Sequence, residues 1–149
     1  MENNILNFIM NELQEFPSKK LMKLNEESIN YGLTLTEEDV RQITRNTKET
    51  LKKTGRIETC TDSLEKIIAF LYSSPYTQKD YYVEVISDME EIFYFFKNQV
   101  LDLLSDDEII EILEKAYNEK SGEILQVQGF VEEYTKEFKF EREFDLWNY

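Results

Sequence analysis

Ten apolar residues between Tyr82 and Leu104 constrain this chain more than any other feature of it. At 100° per residue, Tyr82, Val85, Ile86, Met89, Ile92, Phe93, Phe96, Val100, Leu103 and Leu104 fall within about 60° either side of one line, the stripe of a helix rather than the alternation of a strand. Tyr81, Tyr94 and Phe95 lie off that line, so the helix is apolar on more than one side and has to be enclosed by others. Thr77 or Asp80 opens it and no breaker follows before Leu104, which predicts a long central helix over about residues 78–104.

The same period recurs on both sides of this segment. Ile5, Phe8, Ile9, Leu13 and Phe16 make an amphipathic helix stopped by Pro17, and Ser18 opens a second that carries Leu21, Leu24 and Ile29 inward as far as Gly32. These two are expected to form an antiparallel pair. Thr36 before Glu37, Glu38 and Asp39 is a capping hydroxyl followed by carboxylates where the helix dipole favours them, and Lys52, Lys53 and Gly55 end that helix. Thr61 or Asp62 opens the next, with Leu64, Ile67, Ile68 and Leu71 inward and Ser73-Ser74-Pro75 as its stop. Ser105 and Glu108 form a capping box ahead of Ile109, Ile110, Leu113 and Tyr117. Past Ser121-Gly122, the residues Ile124, Val127, Phe130, Val131, Tyr134 and Phe138 support a last helix in spite of Gly129.

With 41% apolar residues, only four Gly and two Pro, and no repeat or linker in 149 residues, the chain reads as one folded domain over 1–149. The fold class expected is all-α, a single-domain bundle of six or seven helices around the long central one. From Phe138 onward, Phe138, Phe140, Phe144 and Leu146 alternate with charged residues at a strand period, while Phe140, Phe144 and Trp147 also share one helical face. A helical continuation is the preferred reading. Residues 140–149 are set apart as a candidate aromatic docking tail, with Phe144, Leu146, Trp147 and Tyr149 as its partner-binding residues; docking on the chain's own bundle is the plainer alternative.

Histidine is absent, which removes zinc peptidase motifs, Ser-His-Asp triads, Cys-His dyads and Glu-x-x-His di-iron sites together. Cys60 is the single cysteine, so no intrachain disulfide or Cys-rich metal site can form, and an inert buried thiol in a reducing compartment is expected. No secretion signal is legible, since Glu2 stands where a basic segment would be. The longest unbroken apolar run, Ile92 to Phe96, is far short of the roughly 20 residues that span a bilayer. The expected location is cytoplasmic, without membrane contact.

Charge is unevenly spread. Residues 1–18 carry three acids and no bases, residues 19–56 nine bases and six acids, and residues 57–149 eight bases and twenty-two acids, for a net charge of −14. Within the basic part Arg41, Arg45, Lys48 and Lys52 share about 60° of arc on one helix, a candidate anion site whose plainer reading is a solvated outer face. Nucleic acid is disfavoured as a partner, because the net charge repels phosphates beyond that patch.

The remaining enzymatic route is a carboxylate site for Mg²⁺. Glu12 and Glu15, Asp88 and Glu91, Glu108 and Glu111, and Glu111 and Glu114 are each three apart, as in the paired elements of helical nucleotide pyrophosphohydrolases. With 31 acids in the chain such spacings arise readily by chance, so no metal ligand and no cofactor is assigned. The leading functional reading is a non-enzymatic protein-interaction or regulatory module, with a protein partner or a second copy as its target. A Mg²⁺-dependent nucleotide or phosphate-ester hydrolase is the alternative.

Phe16-Pro17-Ser18-Lys19-Lys20-Leu21, Tyr31-Gly32-Leu33-Thr34-Leu35-Thr36, Gly55-Arg56-Ile57-Glu58, Ser74-Pro75-Tyr76, Ile92-Phe93-Tyr94 and Lys97-Asn98 together resemble an uncharacterised bacterial family of small acidic helical proteins, a domain of unknown function. The resemblance covers about residues 1–120 and leaves out the aromatic tail. It implies a bacterial cytosolic protein and brings no activity, cofactor or site residue with it.

Overall fold

The computed structural model describes the backbone of residues 18–147 and side chains as far as residue 143; the helix expected over 5–16, its Pro17 stop and its antiparallel partnership lie outside the described residues. Residues 18–23 are helical (α1), and after a turn at Leu24 come α2 (Asn25–Ser28) and a 3₁₀ turn over Ile29–Tyr31 that Gly32 closes in the left-handed region, φ 77°. The single helix expected here is therefore broken. The break changes the phase, so Ser28 is buried while Ile29, expected inward, is 61% exposed. Asn25 then holds the following segment: its amide donates to the Leu35 carbonyl and its Oδ1 accepts from the Leu35 N–H, both at 2.8 Å. That pair sets Leu33 and Leu35 into the core.

Helix α3 (Glu37–Thr54) starts and stops where its sequence signals place it. Thr36 Oγ1 accepts from the Asp39 N–H and Asp39 returns the bond to the Thr36 N–H, while Gly55 takes the left-handed conformation at the far end. Helix α4 (Asp62–Ser73) buries Leu64, Ile67, Ile68 and Leu71 as their spacing predicts. Helix α6 (Asp106–Glu119) opens on the Ser105–Glu108 capping box and buries Ile109, Ile110, Leu113 and Tyr117. Helix α7 (Ile124–Trp147) runs through Gly129 and is the longest described, which settles the tail's backbone as helix as far as Trp147.

The central helix is α5 (Tyr82–Gln99), preceded by a 3₁₀ turn over Lys79–Tyr81 and in contact with α3, α4, α6 and α7. Enclosure on that scale explains why Tyr94, off the main stripe, is buried with Phe93 and Phe96. The helix ends five residues before the expected Leu104. Leu101 and Asp102 adopt left-handed backbone, φ 54° and 58°, and the Asp102 N–H closes the end on the Lys97 carbonyl at 3.1 Å. Val100 remains fully buried, whereas Leu103, expected inward, is 49% exposed.

At the α6–α7 junction Gly122, φ 77°, lies so close to Tyr76 that an added Cβ would come within 3.0 Å of the tyrosine Cβ. Ser74 and Tyr76 fix that approach from the other side. Ser74 Oγ donates to Asn118 Oδ1 at 2.7 Å and accepts from the Tyr76 N–H at 3.3 Å. The described residues are all-α with no strand among them, and none of their helices is long and apolar enough to cross a membrane.

Candidate functional site

The loop between α3 and α4 is fastened by a half-buried charge network. Arg56, 15% exposed, donates to Glu58 (3.1 Å), to Asp102 (2.9 Å) and to Asn98 Oδ1 (2.6 Å), and Asn98 donates in turn to the Thr54 carbonyl (2.9 Å). Lys97, similarly buried, bridges Glu58 (3.1 Å) and Asp106 (3.0 Å). One knot thus ties together Gly55-Arg56-Ile57-Glu58 and Lys97-Asn98, which the sequence separates by some forty positions, and sets the ends of α3, α5 and the start of α6 relative to one another. Arg56 and Lys97 are held above their ordinary pKa ranges by these carboxylates, against the opposing effect of burial. Every charge in the knot is engaged within the protein, so its role is positional.

The four cations of α3 are dispersed rather than pooled. Arg41 pairs with Glu38 (2.9 Å) and Glu37 (3.5 Å), and Arg45 reaches the same Glu38 at 3.1 Å, so one carboxylate on the first turn neutralises the N-terminal half of the stripe. Lys52 borders an open cleft of about 1080 Å³ between α3 and α5, with Arg45, Lys53 and Glu49 on one wall and Glu84, Asp88 and Glu91 on the other. Lys53 crosses it to Glu91 at 2.6 Å, and Asn46 donates to Ser87 Oγ at 2.7 Å. Burial and the neighbouring Glu91 and Glu84 push the Asp88 carboxyl up. Lys48 faces a different opening.

That opening leads to the least expected group in the molecule. Glu90 sits on α5 with 2% of its surface exposed, and no cation pairs with it among the described residues. Its Oε1 accepts from Thr47 Oγ1 at 2.7 Å, and burial pushes the carboxyl up to about 7 against that bond. Thr47 Oγ1 is also 3.0 Å from the Ile43 carbonyl, and a hydroxyl has one hydrogen to give. Ionised Glu90 takes that hydrogen; protonated Glu90 donates to Thr47 instead, leaving Thr47 free to donate to Ile43. Both protonation states are thereby satisfied at Oε1.

Glu90 and Tyr94, one turn apart on α5, line a half-open cavity of about 180 Å³ together with Leu21, Leu51 and Leu64, with Lys48, Glu58 and Cys60 also on its lining. Burial also drives the Tyr94 hydroxyl up, so it is a neutral donor and acceptor at working pH. Cys60, expected to be buried, is exposed: it stands in the loop ahead of α4, not on a packed helical face.

Helix α7 packs on the bundle along its first half. Val127 and Val131 are fully buried, and Tyr134 packs on Phe96 at 5.4 Å between ring centroids. Residues 139–143 are all exposed, Phe140 by 69%, although Lys139 reaches back to Gln99. The side chains of Phe144, Leu146, Trp147 and Tyr149 lie outside the described residues.

Among the described residues no group of three or more Asp, Glu or Cys side chains could hold a metal ion. The converging carboxylates that a Mg²⁺-dependent hydrolase requires are thus not formed by Asp88, Glu91, Glu108, Glu111 and Glu114, and Glu12 and Glu15 lie outside the described residues. Neither a curated protein nor a solved structure matches the chain. A family model does, over residues 20–144, starting later than the resemblance seen in the sequence and running on into the segment that resemblance left out. Four of the six segments that carried the resemblance lie in the Arg56 knot, the Gly32 turn and the Ser74–Tyr76 corner, and on the family-model match the chain belongs to the family of unknown function DUF6323.

Proposed function

We propose that this protein is a non-enzymatic interaction module whose binding element is the distal part of α7 and whose partner there is a second copy of the chain. The observation that carries the reading is Phe140, an aromatic 69% exposed on a helix that stays regular as far as Trp147. The sequence continues its register with Phe144 and Trp147, four and seven residues on, so that the three share one helical face. Leu146 and Tyr149 add apolar surface to the same segment.

Self-pairing is favoured over a foreign partner by the charges beside that face. Lys136, Lys139 and Glu143 flank it on one side, so an antiparallel copy sets Lys139 of one chain against Glu143 of the other. A strongly basic partner, the alternative for a chain of net charge −14, would meet Lys136 and Lys139 beside this face.

Phe140→Glu tests the reading, because Phe140 makes no core contact and its replacement leaves the bundle intact. The full chain is expected to sediment as a dimer at tens of micromolar and to dissociate on dilution, and the variant to stay monomeric with unchanged helicity. A monomeric parent chain, or a variant that dimerises as well as the parent, would refute it.

A further inference from the structure

We propose that the cavity against Glu90 is a binding site for a small primary ammonium compound, with its ammonium on the Glu90 carboxyl and the Tyr94 hydroxyl and its short carbon chain against Leu51 and Leu64. Three observations converge on this. Glu90 is a buried carboxyl with no cation of its own, and Thr47 engages only Oε1, leaving Oε2 without a partner among the described residues. Tyr94 lines the same cavity, and its hydroxyl makes no hydrogen bond among the described residues. The space, about 180 Å³, holds roughly six water-sized groups, and Leu21, Leu51 and Leu64 give it an apolar wall.

A buried carboxylate costs free energy unless a cation meets it, and an ammonium group supplies both the charge and the N–H donors that Oε2 and the Tyr94 oxygen lack. Water alone would satisfy the hydrogen bonds without balancing the charge. The other charged or titratable groups around the cavity are Lys48 from α3, Glu58 and Cys60 from the loop ahead of α4, and Tyr94 itself. Glu58 is committed to Arg56 and Lys97, and α1 and α4 contribute Leu21 and Leu64. Lys48 is the group that a carboxylate at the far end of a ligand would meet. The shared chemistry is thus a primary ammonium on a short chain, and its source is either a simple amine or a small amino acid.

Nuclear magnetic resonance titration of the wild-type chain with n-butylammonium, 4-aminobutyrate and butyrate separates the cases. Both ammonium probes are expected to give saturable shifts centred on Thr47, Glu90 and Tyr94, and butyrate none. With Glu90 titrating at about 7, binding should be about tenfold tighter at pH 8 than at pH 6, because only the ionised carboxyl offers a counter-charge. In Glu90→Gln the affinity should fall at least tenfold and the pH dependence vanish. Tighter binding of 4-aminobutyrate identifies an amino acid and engages Lys48; tighter binding of butylammonium identifies an amine. No saturable shift with either ammonium probe at pH 8, equal binding of butyrate, or an unchanged affinity in Glu90→Gln would overturn the proposal. If that variant does not fold, the wild-type pH profile and the butyrate control decide it alone.

Discussion

Replacing Glu90 by glutamine stabilises the protein by about 3 kcal/mol at pH 8 and changes it little at pH 5. In the folded chain the Glu90 carboxyl keeps its proton up to about pH 7, whereas in the unfolded chain it loses it near the ordinary value of 4.5. Between those two values the folded state holds more protons than the unfolded state, so stability falls as the pH rises. The loss from this group is complete once the pH has passed 7. Two and a half pH units of difference correspond to about 3 kcal/mol, and glutamine, which does not titrate, escapes the whole of it while keeping the bond to Thr47. Urea denaturation of both proteins at pH 5 and pH 8 checks this. A stability difference independent of pH would show that Glu90 is solvated or paired in a way the structure does not contain.

Arg56→Ala has an effect of similar size and the opposite sign, a loss of about 3 kcal/mol at neutral pH. Arg56 is largely buried, and its removal strands partners on two elements: Glu58 in the loop, and Asn98 and Asp102 at the end of α5. Asp102 is also one of two consecutive residues in left-handed backbone, a conformation that costs roughly 1–2 kcal/mol for a residue with a side chain and that Arg56 helps to hold. Arg56→Lys should recover part of the loss, since a single ammonium cannot reproduce four directed N–H contacts to three groups. Equal denaturation midpoints for Arg56→Ala and the parent chain would mean that the knot is a surface decoration.

These two residues also mark where the sequence stopped being legible. The starts of α3 and α6 could be read because a capping box is a local device, complete within four residues. The end of α5 could not. No glycine or proline stands between Gln99 and Leu104, and the apolar period runs on through Leu103 and Leu104. What stops the helix is a left-handed pair secured by an arginine more than forty positions upstream, which no window on the sequence contains. Ile29 was misplaced for a related reason, because the break at Leu24 and the 3₁₀ turn after α2 shift the phase that its spacing implies.

Glu90 was missed although a clue was present. Tyr94, one turn later on the same side of α5, already stood outside the main stripe and implied a second covered face. An acid on that face reads as solvated until the packing of α3 and α4 over it is known. The four cations of α3 share an arc in the sequence, yet Glu38, which pairs with Arg41 and Arg45, belongs to the run of acids that marks the helix start, and Lys48 lies at a different opening from Lys52. In α7 the apolar residues expected inward, Ile124, Val127, Phe130, Val131, Tyr134 and Phe138, pack on the bundle, whereas Leu125 and Phe140 are exposed.

The account turns on that last point, and light-scattering mass on a sizing column tests it most directly, run on the full chain and on a version ending at Lys139. A dimer that becomes a folded monomer on truncation is the result the account predicts. Equal masses for the two proteins, whether both monomeric or both dimeric, would contradict it, because the segment that begins at Phe140 would then have no part in assembly.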